Sequence, residues 1–340
     1  MSVLITSTKK KAGKTMIGIG IGLHHSGSVG FFKPLGTNIV QGADEDVLLF
    51  TDIFNLKEDP HLFNLSQDYH RILHDLNHSP HLTSRLTGRF TQLSTDKDFM
   101  IIETAHTFTY GSYTRLSAPQ IADALGCPGI VVAQGTPETI LDKSIMARHC
   151  FEDIKASFCG VIVNKSPAFS SVHEGYLTER GIPVLGVIPE VEELRTPTCE
   201  DIIDVLDGEL LAGEEGLSKK VESTIVGAMT YDTAQRTLQT MEFPHNAVLV
   251  TGGDRADMQL IAFELKSSLL VLTGNTYPSM AVLAKADELQ IPVVMVPHDT
   301  MTAAMRCEQA SARIRPSHVP LIKTLINTHV DLDSVWKAVQ

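Results

Sequence analysis

Gly13, Lys14 and Thr15 close the stretch "TSTKKKAGKT", residues 6–15, which begins in the apolar run "SVLIT" at the start of the chain. A glycine-containing loop between a strand and a helix can aim several backbone N–H groups at one anion, and the helix N-terminus adds the positive end of its dipole. In such a loop Gly13 permits close backbone approach, Lys14 reaches the β- and γ-phosphates, and Thr15 offers its hydroxyl to Mg²⁺. The strict pattern has another glycine five positions before Gly13, where this chain has Thr8. The context is nevertheless that of a phosphate loop: strand, loop, then a helix rich in small residues. Lys9, Lys10 and Lys11 add positive potential around a polyphosphate in a chain whose net charge is −12.

A phosphate loop requires further parts. "FMIIE" ends in Glu103, where a carboxylate can hold Mg²⁺ or its waters; Asp98 just before it reads as a strand-edge residue. Asp44, Glu45 and Asp46 stand at an expected helix start, where acids complement the dipole. "GVIVNKSP" ends a strand in Asn164, whose amide could read a base edge; Pro167 replaces the aspartate of a guanine-reading NKxD, so adenine is the expected base. Later in the chain, Asp254 and Arg255 follow a Gly-Gly turn, and Thr273 and Asp299 fall at equivalent strand exits. Such exits hold ligands in open α/β folds; the alternative is local turn capping.

Other constellations carry less. His70, His74 and His78 share one helix face at i, i+4 and i+8, but the outer two stand about 12 Å apart at 1.5 Å per residue, too far to share one ion. A solvated or packed face is the expected reading. The five cysteines are single and form no CxxC, which suits a reduced compartment. Neither Cys127, in a turn, nor Cys307, within a helical pattern, has the setting of a nucleophile.

The elements that must position these residues alternate as βαβ units. Apolar runs at 2–6, 29–33, 99–103, 129–133, 160–164 and 184–189 are expected strands of a mostly parallel sheet, buried on both faces. Helices are expected at "GKTMIGIGIGLHHSG" and "SAPQIADALGC". The acidic stretch 190–217 reads as a crossing between domains, and the alternation resumes with strands at 246–253, 268–275 and 291–299. The expected organisation is a domain at 1–205, a second α/β domain at 206–320 and a C-terminal helix at 321–340. Low positive charge argues against a nucleic-acid or membrane-surface binder. No signal segment or apolar run of about 20 residues is visible, so a cytoplasmic protein is expected.

Together these segments resemble the dethiobiotin synthetase-like and cobyrinic acid a,c-diamide synthase-like branch of P-loop proteins. "VGFFKPLGT" is similar to that family's Lys-Pro motif, which implies that Lys33 holds an acidic substrate group or carbamate. The resemblance also implies that Asp46 and Glu103 bind metal and that Asn164 contacts adenine. Lys9 is similar to the lysine of ParA/MinD-type loops, which reaches across a dimer, and a homo-oligomer is expected. "VLVTGGDRADMQLIAF" resembles the core of a DRTGG domain, with Ala256 in place of its threonine. The whole arrangement resembles the N-terminal portion of long bacterial phosphotransacetylases. The family's Thr-Gly-Thr is Thr6-Ser7-Thr8 here, and its Glu-Gly-Ala-Gly-Gly is "ETAHT".

The expected fold is therefore α/β, a P-loop NTPase-like parallel-sheet domain followed by a smaller DRTGG-type domain. The resemblance implies ATP and Mg²⁺ as cofactors. Two readings of function stand: a Mg²⁺-ATP-binding regulatory or sensor protein, with a small acid or nucleotide bound in the second domain, or an ATP-dependent ligase using Lys14 and Lys33. A separate phosphotransacetylase chain is a further expected partner, and transacetylase activity is not expected of this chain alone.

Overall fold

Each apolar run of the first half becomes a strand. β1 (Ser2–Ser7), β2 (Val29–Phe32), β3 (Phe99–Glu103), β4 (Gly129–Ala133), β5 (Phe158–Asn164) and β6 (Val184–Ile188) form one sheet in the order β2-β3-β1-β4-β5-β6, every neighbouring pair parallel. Residues 99–103 and 129–133 are buried throughout, as in a sheet covered by helices on both faces. These details come from a computed structural model, which describes all residues except 38, 41, 67–68, 77–81, 230–235, 237–243 and 245. The chain divides into two units, Met1–Glu190 with Ile314–Gln340, and Val191–Arg313.

Strand order reverses around β1, which lies between β3 and β4. Ligands of open α/β sheets bind beyond the carboxyl ends of strands at such a point. The helix that follows, α1 (Lys14–Gly22), carries glycines at 18, 20 and 22, each weakening a helix by roughly 1 kcal/mol relative to alanine. Close packing offsets that cost: a Cβ on Gly20 would stand 2.1 Å from Ile326 Cγ1. Ile326 belongs to the C-terminal helix Val319–His329, which packs on α1, and the following helix Leu332–Val339 sets Trp336 against Phe99 and His25. Gly20→Val should therefore cost about 1–3 kcal/mol through overpacking. Fluorescence of the chain's one tryptophan, Trp336, would report the loosened C-terminal segment.

The second unit has its own sheet, with β7 (Glu209–Ala212), β8 (Ser223–Val226), β9 (Ala247–Gly252), β10 (Leu269–Thr273) and β11 (Val293–Met295) in the order β8-β9-β10-β11-β7. All pairs are parallel except β11 with β7. Alternate residues build two cores. Val248, Val250, Leu269 and Val271 pack on helices Cys199–Leu206 and Thr300–Gln309, while Leu249, Leu270 and Leu272 face helices Ala256–Glu264 and Met280–Leu289. This period of two, with apolar residues on both faces, explains the near-continuous hydrophobic runs.

Domain organisation differs from the expectation in two places. The acidic stretch 190–217 contains both a core helix and an edge strand of the second unit, and a boundary at 205/206 would cut that helix near its end. Its acids have local work: Thr198 and Asp201 form a capping box at the helix start, and exposed Glu209 begins the edge strand. Residues 314–320, assigned to the second domain from the sequence, lie with 321–340 in the first unit.

Candidate functional site

The loop between β1 and α1 is held from two sides. Gly13 caps α1 in a left-handed conformation (φ 99°), and a Cβ there would stand 2.3 Å from Asn164 Nδ2. Both facts require glycine. Asn164, 1% exposed at the end of β5, donates from Nδ2 to Ala12 O at 2.8 Å. The amide expected to contact adenine is thus turned inward and fixes the loop. From the other side Thr8 N donates to Val132 O and Lys143 Nζ to Thr8 O. Lys9 is exposed, and its carbonyl accepts from Ser7 Oγ.

Lys14 is buried, with Nζ 3.1 Å from His106 O and 3.4 Å from Ser7 Oγ. Burial lowers its pKa below the ordinary lysine value, against the attraction of Glu103 and Asp46. The Thr15 hydroxyl lies 3.0 Å from Asp46 Oδ1 and 3.2 Å from Glu103 Oε1, bridging the two acids named from the sequence.

Lys33, 2% exposed at the exit of β2, donates to Asp44 Oδ1 at 2.8 Å and also to Asp46 Oδ2. Burial opposes its charge, but Asp46, Glu103 and Asp44 outweigh that and hold its pKa above the ordinary value. Asp46 feels the converse: burial disfavours its charge, and Lys33 holds it below the usual carboxylate range. Asp44 has a role its sequence setting concealed. It caps helix α2 (Glu45–Phe54) by accepting from Asp46 N, accepts from Thr37 N, and pairs with Lys33 while wholly buried.

Glu103 is the unsatisfied member. It is 3% exposed, and its Oε2 has no hydrogen-bond partner among the described residues. Burial, then repulsion from Asp46, push its pKa up to about 8 against the pull of Lys14 and Lys33. Two facing carboxylates, a hydroxyl and an orphan buried oxygen make an all-oxygen set that fits Mg²⁺, which takes one or two carboxylates and completes its shell with phosphate oxygens and water. No group of three or more His, Cys, Asp or Glu that could cage an ion by itself occurs among the described residues. Asp98, by contrast, accepts from Ser28 N and Oγ at the strand edge, as expected.

His106 was not singled out from the sequence as a site residue, although it stands where the resembled family has glycine. It adopts a left-handed backbone (φ 47°) beside the phosphate loop, and its carbonyl accepts from Ser7 Oγ at 2.7 Å as well as from Lys14. Of the histidine face, His70 lies on the helix Tyr69–Leu76; the His74 side chain and His78 lie outside the described residues.

In the second unit the four named residues fall at the exits of β9, β10 and β11, where local bonds hold three of them. Arg255 forms a two-bond fork with Asp257, each bond 2.9 Å, and donates to Met229 O. Thr273 Oγ1 bonds Thr251 O at 3.2 Å and Thr300 Oγ1 at 2.9 Å. Asp299 caps helix Thr300–Gln309 through Met301 N, Thr302 N and Thr302 Oγ1, which hold its pKa below the usual range. Asp254 is exposed in the Gly-Gly turn. The capping alternative thus accounts for Asp299.

No helix among the described residues is long and apolar enough to cross a membrane. Comparison with known proteins places these features. The AAA domain family model matches residues 1–198 and the DRTGG domain model residues 201–310. The phosphate acetyltransferase of Synechocystis sp. is 24% identical over 344 residues, covering 95% of this chain and 48% of that protein. The phosphate acetyltransferase of Nitratidesulfovibrio vulgaris is 22% identical over 361 residues, covering 97% of this chain and 50% of its own length. The chain thus spans about half the length of these curated relatives. Among solved structures, the MinC:MinD cell division protein complex of Aquifex aeolicus overlaps with a TM-score of 0.38 at 16% identity, over 57% of this chain and 83% of that one. The chain belongs to the AAA domain family of P-loop proteins, carries a DRTGG domain after it, and matches the N-terminal region of phosphate acetyltransferases.

Proposed function

We propose that this chain is a Mg²⁺-ATP-binding regulatory protein whose first unit takes the nucleotide and whose second unit takes a small acid or nucleotide effector. The observation that carries the reading is the head of α1, where the Thr15 hydroxyl bridges Asp46 and Glu103 and leaves a buried Glu103 oxygen unpartnered. A dication there would relieve the repulsion between the carboxylates, satisfy the orphan oxygen and bring in the phosphates. Thr15, Asp46 and Glu103 would hold Mg²⁺, which supplies charge neutralisation for the β- and γ-phosphates. Lys14 would bind those phosphates, and Lys9 and Lys10 would extend the positive field. Hydrolysis would be slow positioning chemistry with no covalent intermediate.

The ligase reading needs the Lys33 ammonium to receive a substrate carboxylate or carbamate. Its pairing with buried Asp44 and with Asp46 argues against that, since an incoming acid would have to displace a wholly buried carboxylate and a second, partly buried one. Likeness to halves of phosphate acetyltransferases supports an acyltransferase chain as the regulated partner, and co-purification with such an enzyme tests that part.

Thermal unfolding with and without Mg²⁺-ATP tests the nucleotide site. Ligand at about 1,000 times its dissociation constant stabilises by about 4 kcal/mol, which raises Tm by roughly 8–16 °C for a unit of some two hundred residues. The rise should be larger with ATP than with GTP and absent in Lys14→Ala. No shift at millimolar ATP would refute the reading, and ADP release strictly dependent on an organic acid would favour the ligase.

A further inference from the structure

We propose that His106 is a ligand of the terminal phosphate and makes the site discriminate nucleoside triphosphate from diphosphate; this rests on the nucleotide-site reading above. The segment after β3 doubles back onto the phosphate loop. Thr104 N donates to Ile5 O, the Thr104 and Thr6 hydroxyls meet at 2.7 Å, and Phe108 N donates to Ser7 O. These bonds fix His106 over the exit of β1, where its carbonyl accepts from the phosphate-loop lysine. The position is thereby tied to Lys14, whose ammonium in a phosphate loop serves the β- and γ-phosphates.

The imidazole is set up as a donor. Its ring meets Tyr110 edge-on, with centroids 4.5 Å apart and planes at 89°, and Tyr110 in turn rests against Tyr69 at 5.0 Å. This contact backs the ring, and no hydrogen bond to either of its nitrogens occurs among the described residues. The charges that shift it are those of Lys10, Lys14 and Lys33. Together with burial they push its pKa down to about 4, so the ring is neutral and carries one N–H. A neutral N–H donor next to the phosphate-loop lysine is the complement of a phosphate oxygen.

His106 holds a left-handed backbone (φ 47°), as do eleven other non-glycine residues among those described, so the conformation alone marks no site. Glycine would hold this turn without strain, and the family that the sequence resembles has glycine here. The side chain is therefore not needed to make the turn. Ser7 also stands in a family glycine position, and its hydroxyl is the group that bonds the His106 carbonyl at 2.7 Å. The two departures from the family pattern thus meet at the same contact.

The test is binding of ATP and of ADP, each with Mg²⁺, to the full chain by calorimetry, for the wild type, His106→Gly, His106→Ala and His106→Gln. His106→Gly relieves the left-handed conformation and should fold, as unfolding without nucleotide would verify. We expect His106→Gly and His106→Ala to weaken ATP about tenfold to a hundredfold, the range for a hydrogen bond to a charged group. ADP should change by less than about twofold, and His106→Gln, which keeps an N–H donor, should recover most of the ATP affinity. Equal weakening of ATP and ADP, or unchanged ATP binding, would overturn the assignment while leaving the nucleotide site standing. A wild-type chain that binds neither nucleotide would overturn both.

Discussion

Lys33→Met should destabilise the first unit by about 3–5 kcal/mol, the usual result of removing one partner from a buried ion pair. Asp44 is wholly buried and Lys33 is 2% exposed, so the aspartate left behind keeps only its bonds from backbone N–H groups. The loss would appear as a fall in Tm of roughly 6–20 °C for a unit of this size. Lys33→Met with Asp44→Asn should recover a substantial part, because the amide oxygen still accepts from the backbone and no charge is stranded. The pair of variants also separates the two functional readings. If Lys33 served a substrate, the single variant would lose turnover and keep its stability; a Lys33→Met protein that melts like the wild type would contradict a structural role for the ion pair.

How much of this was legible in the sequence depends on the range of the interaction. Lys14, Thr15, Asp46 and Glu103 were readable because each stands at the end of an apolar run or at a helix start, positions that a parallel sheet brings to one edge. The Thr15 hydroxyl does lie within 3.2 Å of both Asp46 and Glu103. Strand positions were readable for the same reason, since burial on both faces leaves uninterrupted apolar runs. Asp44 was read only as part of a dipole-complementing first turn because nothing local distinguishes a cap from a cap that also holds a buried lysine. Asn164 looked like a base reader by its place at a strand end, whereas the 2.8 Å bond to Ala12 O spans 152 positions of sequence. The helix Cys199–Leu206 hid in an acidic stretch because two of its acids, Glu200 and Asp204, are exposed and the third, Asp201, is buried in the capping box with Thr198. His106 carried one signal, a bulky residue in a place where the resembled family has glycine. Its meaning depends on contacts with Ser7 and Lys14, 99 and 92 residues away.

Glu103→Gln should make the ligand-free protein more stable and the Mg²⁺-ATP complex less so. In the folded chain the Glu103 carboxyl is held up at about 8, against an ordinary value of 4.5. Between those values the folded state keeps a proton that the unfolded state has lost, so stability falls as pH rises through that window. The full shift corresponds to up to about 5 kcal/mol at 1.36 kcal/mol per unit. Glutamine removes the cost of ionising the buried group, and its amide can still accept from Thr15 and donate toward Asp46. The Tm difference between variant and wild type should thus be small near pH 5 and grow toward pH 8. His106 acts in the opposite sense: its pKa is pushed down to about 4 from 6.5, so it adds stability as pH rises between those values. That contribution is common to both proteins and largely cancels in the difference. With Mg²⁺-ATP present the order should reverse, because the cation displaces the proton from Glu103 and gains a carboxylate ligand that glutamine cannot supply. A variant that shows no pH-dependent gain would mean that Glu103 is ionised without a cation. A variant that gains stability but keeps the wild-type response to Mg²⁺ would remove Glu103 from the metal site and leave Thr15 and Asp46 to hold the ion.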